Sequence, residues 1–99
     1  SLAIAIELSL KAFLMKAGYA DDWNRVHIRH DLEKALALAT EAGLSGLPLG
    51  LPHLTAILSP AYRRHEIDAL FRAGALPFDV PDACLCVDRL LAVIRGQMA

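Results

Sequence analysis

The apolar positions at the start of the chain do not fall into a stripe. From Leu2 to Ala17 there is neither Gly nor Pro, and Leu2, Ile4, Ile6, Leu8, Leu10, Phe13, Leu14 and Met15 spread around the helical wheel. This distribution predicts a helix buried on several sides and stopped by Gly18. Its charges are Glu7, Lys11 and Lys16, with Glu7 and Lys11 paired at i, i+4. Such a helix demands cover: from the helix that begins near Asp31, from the one that begins near Pro60, and from either an upstream helix or a second copy of the chain.

Tyr19 to Arg29 is polar and aromatic without a clear period, and reads as a connection. A second helix starts near His30 or Asp31, where Asp31 can cap and Glu33 adds favourable negative charge, and it runs through Leu32, Ala35, Leu36 and Ala39 to Gly43. Gly46, Pro48, Gly50 and Pro52 break regular structure, while Leu44, Leu47, Leu49 and Leu51 let this loop pack down on the core. A helical segment spans about 52–58. Ser59 before Pro60 reads as an N-cap followed by proline at the first helical position, so a new or kinked helix begins there and ends by Gly74. An extended stretch from Leu76 to Pro81 leads into a last helix, Asp82 to Arg95, through Leu85, Val87, Leu90, Leu91 and Ile94. No stretch alternates with period two. The expectation is an all-α, up-and-down bundle of four to five helices in one domain, residues 1–99.

Composition agrees with helix: the hydrophobic fraction is 56% but aromatics are only 6%, so Ala and Leu, both strong helix formers, make up the excess. A net charge of −1 and a pI near 6.4 give no broad electrostatic footprint for DNA or an anionic membrane, so any anion binding must be local. The apolar stretch from Leu2 to Met15 is interrupted by Glu7 and Lys11 and is shorter than a membrane span, which needs about 20 residues. Cys84 and Cys86, two apart on a helix, are poorly placed to bond to each other, which favours a reducing, cytoplasmic compartment.

Three segments, taken in order, resemble the HEPN domains, small all-α modules associated with nucleotides. They are AIELSLKAFLMKAG from Ala5 to Gly18, HDLEKALALA from His30 to Ala39, and the weaker YRRHEI from Tyr62 to Ile67. In that family another amphipathic helix precedes the first of these, whereas this chain starts inside it. The resemblance implies one of two roles. One is a non-catalytic binding and dimerising module, homodimeric through an apolar helical face, with a nucleotide, RNA or a nucleotidyltransferase as partner. The other is a metal-independent, toxin-like ribonuclease. A third reading, from the apolar surplus alone, is a structural subunit packed on another protein.

The family's ribonucleases carry an Arg and then a His a few residues on. Arg25 and His30 have that spacing, and together would neutralise a phosphate and exchange a proton with it. With seven Arg and four His in the chain, however, about one such match arises by chance. Val26 also stands where a polar residue is usual, and the pair precedes the His-Asp-Leu helix instead of lying in a later one. The plainer reading has His30 closing the helix start through a backbone contact and Asp31 balancing the dipole. Asp31, Tyr62 and Arg64 are the candidate ligand-binding residues, Tyr62 sharing a helical face with Glu66, with a solvated polar face as their structural alternative. His27, His30 and Asp31 lack a fourth well-spaced metal ligand, and neither metal nor cofactor is expected. Cys84 and Cys86 read as buried packing, and Trp23 as a loop anchor or a platform for a base.

Overall fold

The computed structural model describes residues 2–72, 74 and 76–98. Of the described residues 74% are helical and none lies in a strand, so the fold is a small all-α bundle. Its helices are α1 (Leu2–Lys16), α2 (Asp21–His27), α3 (Leu32–Glu41), α4 (Leu51–Arg63), α5 (Ile67–Arg72) and α6 (Val80–Met98). The radius of gyration is 13.1 Å and the shortest extent 17 Å, about two packed helix layers.

Helix α1 buries Ala3, Ile6, Leu10, Phe13 and Leu14, and packs against α3, α4 and, most extensively, α6. The expected cover is thus corrected. Only the first residues after Pro60 help, as the last turn of α4; α5 packs on α4 and not on α1. Leu32, Ala35, Leu36 and Ala39 of α3, Leu51, Leu54 and Leu58 of α4, and Ala83, Val87, Leu90 and Ile94 of α6, with Ile28 and Leu44 from the connections, complete the core. Ile4, Leu8 and Met15 of α1 stay 46%, 61% and 50% exposed, so the apolar surplus is only partly absorbed.

Two helix ends follow one rule. Gly18 and Gly43, at φ +113° and +110°, stand just after α1 and α3, and the next amide in each case reaches back into the last turn: Tyr19 N–H to the Leu14 carbonyl and Leu44 N–H to that of Ala39, both 2.9 Å. Glycine takes this left-handed position without a steric penalty.

Several boundaries differ from expectation. Tyr19 to Arg29 is not simply a connection, because Asp21 to His27 is helical; the acidic residues at its start and Arg25 and His27 at its end suit the dipole although the pattern lacks an apolar period. Pro60 does not start a helix. It lies inside α4, and Ser59, instead of capping its own helix, is fully buried and caps another: its Oγ accepts from Leu32 N–H at 3.1 Å while Asp31 accepts from Lys34 N–H at 3.0 Å. Both orphan amides belong to the first turn of α3. In the loop, Leu44 and Leu51 are buried, but Leu49 is 99% exposed. On α6, Leu85 is exposed, as is Cys84; only Cys86 is half-buried.

Candidate functional site

Glu7 is the carboxylate that should not be where it is, 5% exposed within the apolar first helix. A buried carboxylate is costly unless its oxygens are engaged. The chain supplies partners from two distant segments: His30 Nδ1 donates to one oxygen at 2.6 Å and Tyr62 Oη to the other at 3.0 Å, with Lys11 Nζ 3.8 Å from the second. An ionised carboxylate only accepts, so the Nδ1 contact assigns the proton to that nitrogen and leaves His30 Nε2 for other work. The three segments that carry the family resemblance therefore meet at one point. His30 does not close the helix start through the backbone, as its sequence position suggested, but spans to α1.

Around this point lies a cleft of about 640 Å³ lined by Lys11, Arg25, Arg29, His30, Arg63 and His65. Every lining residue is basic. Arg25 is held by Asp22 at 2.9 Å on the surface and Arg63 lies 3.9 Å from Asp31, whereas Arg29 and His65 make no ion pair among the described residues. The His30 ring sits 4.5 Å from that of Tyr62 and 5.4 Å from that of His65, centroid to centroid.

The backbone here is strained. Among the described residues, the non-glycine positions with positive φ are Arg29 (+45°), His30 (+67°) and His65 (+58°), and all of them line the cleft. Left-handed φ costs an L-residue roughly 1–2 kcal/mol, and such strain concentrates at functional sites. His65 occupies the place after α4 that Gly18 and Gly43 occupy after their helices: its amide reaches the Tyr62 carbonyl at 3.1 Å, and Glu66 N–H reaches that of Ala61 at 2.7 Å. A glycine would serve the turn better.

Of the residues singled out in the sequence, Arg25 and His30 line the same cleft, and Tyr62 lies beneath it as a donor to Glu7. Asp31 is an N-cap that also faces Arg63. Arg64 is outside the cleft lining and pairs with Glu66 at 3.0 Å; because α4 ends at Arg63, Tyr62 and Glu66 do not share a helical face. His27 bonds the Trp23 carbonyl at 3.0 Å and stacks on Trp23, which also meets Tyr19, so Trp23 has ring neighbours on its own helix and its loop. No group of three His, Cys, Asp or Glu side chains among the described residues could hold a metal ion. Sequence reasoning missed Lys11 and Arg29 as cleft residues, and placed Arg63 and His65 in a polar cluster with Tyr62, Arg64 and Glu66 that read as a solvated face more than as a phosphate clamp. Glu7 was visible as an acid in an apolar helix, yet read as one half of a helical pair.

Chemically the cleft can neutralise an anion with forked arginine donors and a lysine. His30 presents a ring whose far side is fixed by Glu7. In comparisons with known proteins no family model matches the chain, and neither a curated protein nor a solved structure matches it.

Tyr62 is pushed up to about 12 from 10.0, first by burial, then by its hydrogen bond to Glu7 and the charge of that carboxylate. The fold thus favours the protonated phenol, a contribution fully present below pH 10.0 and lost as pH rises through about 12. Ultraviolet difference titration should show a late tyrosine transition near that upper value, absent in Tyr62→Phe; a titration in which Tyr62→Phe removes a step in the ordinary range instead would contradict the hydrogen bond to Glu7. His65→Gly should stabilise the fold by about 1 kcal/mol by relieving the left-handed strain, roughly 4 to 8 °C in Tm for a domain of this size. A thermal melt unchanged or lowered by this substitution would show that the ring contact with His30 outweighs the strain.

Proposed function

We propose that the chain is a binding and dimerisation module of HEPN type, non-catalytic, whose basic cleft holds a phosphate of a nucleotide or of RNA. The observation that carries this reading is the lining itself: six basic side chains and no acid face one cleft on a chain whose net charge is −1. Four of the six already face Glu7, Asp22 or Asp31, which leaves Arg29 and His65 as the lining groups without an ion pair among the described residues and open to an incoming anion. Strained residues at the same place support a ligand-binding role. The exposed Ile4, Leu8 and Met15 face of α1 supports self-association, since homodimer interfaces are apolar. The family resemblance supports a nucleotidyltransferase as a further partner. Two free cysteines support a reducing, cytoplasmic setting, and no helix among the described residues is long and apolar enough to cross a membrane.

The ribonuclease reading is favoured by one specific contact. Glu7 holds His30 Nδ1 at 2.6 Å, the arrangement that orients an imidazole for proton transfer, with Arg25 on the same cleft to meet phosphate charge.

Calorimetric titration with AMP, inorganic phosphate and a short single-stranded RNA should give binding that weakens as salt rises. Arg25→Ala and Arg63→Ala should each weaken it by about tenfold, the loss of one charge-assisted contact. Absence of binding, or affinity indifferent to both substitutions, would remove the proposal. RNA recovered intact after incubation accords with the binding role, whereas cleavage that disappears in His30→Ala would replace it by the catalytic one. Sedimentation equilibrium should find a dimer that Leu8→Glu dissociates; a monomer at every concentration would strike out the dimerisation part alone.

A further inference from the structure

A second concavity, of about 540 Å³, opens between α1, α5 and α6 and shares no lining residue with the basic cleft. On α6 its wall is Val80, Cys84, Val87 and Leu91, spaced i, i+4, i+7, i+11 along one helical face. At 1.5 Å per residue this strip runs about 16 Å. Ile67 and Phe71 of α5 form another wall, and the Phe71 ring is braced edge-on against Phe78 at 6.2 Å. Because α5 packs only on α4, the space between it and α6 stays open. Each of these walls carries one carboxylate, Asp68 on α5 and Asp88 on α6, and neither makes an ion pair among the described residues.

We infer that this groove is a docking site for an amphipathic helix of another protein, bearing Lys or Arg beside its apolar anchors. The length of the apolar strip matches about three helical turns, the usual span of helix-in-groove recognition with anchors at i, i+4 and i+7. Carboxylates on both walls are complementary to basic flanks and reject an acidic helix or an anionic lipid surface. A second copy fits less well. With its exposed α1 face seated in the groove it would join two different surfaces, and such a heterologous contact propagates head to tail unless it closes into a ring.

The full chain can be screened against a library of helical peptides of about fourteen residues, with Leu fixed at i, i+4, i+7 and i+11 and Lys, Arg, Asp or Glu varied beside them. Selected peptides should be enriched in Lys and Arg. Their binding should slow alkylation of the exposed Cys84 by iodoacetamide, and the Asp68→Asn, Asp88→Asn double variant, with an unchanged circular dichroism spectrum, should weaken it by about tenfold or more. No selected peptide, selection of acidic or charge-indifferent sequences, or binding that leaves Cys84 equally reactive would each overturn the proposal. So would concentration-dependent protection of Cys84 in the peptide-free protein, which would give the groove to a second copy.

Discussion

The buried Glu7 carboxylate is the constraint on which this arrangement turns. An apolar helix gains nothing by carrying it inward, and an unpaired charge there would cost several kcal/mol. Its partners lie 23 and 55 residues further on, so satisfying it joins α1 to the turn before α3 and to the last turn of α4. Removing one partner would leave charge or hydrogen-bonding capacity stranded. The bond to His30 also belongs to a turn in which Arg29 and His30 both adopt positive φ. Capping of α3 by Ser59 ties the same neighbourhood a second time, since the hydroxyl that serves Leu32 belongs to α4. The basic cleft is thus mounted on helix ends cross-linked by polar contacts.

The helical class, the burial of α1 and the capping role of Asp31 were legible because they rest on local periodicity and local hydrogen bonds. Glycine stops at positions 18 and 43 were legible for the same reason. What escaped was non-local. Pro60 and Ser59 carry the local signature of a helix start, but burial of Leu58 and Ala61 on either side keeps α4 continuous, at the expense of one backbone donor. Helix α2 lacks an apolar stripe, and its one fully buried residue, Asn24, is polar, with both side-chain amide atoms unpartnered within the described residues. Leu49, Leu85 and Cys84 have apolar side chains by type, yet all three stay exposed, and an apolar identity alone does not say which face is inward.

The cleft was half legible. Arg25 and His30 could be paired by spacing, and the acid of α1 could be noticed. That Arg63 and His65 join them depends on where the end of α4 lands, which no spacing rule contains. The left-handed backbone at His65 is equally invisible, because the sequence places histidine where the geometry would favour glycine.

The concentration of basic groups in one cleft on a nearly neutral chain has a kinetic meaning. At physiological ionic strength the Debye length is about 8 Å, so an approaching anion feels little of the cleft until it is almost in contact. The whole molecule, at net charge −1, supplies no long-range pull to compensate. Encounter then proceeds at the unsteered rate of neutral partners, and discrimination between anions is expressed in how long each one stays.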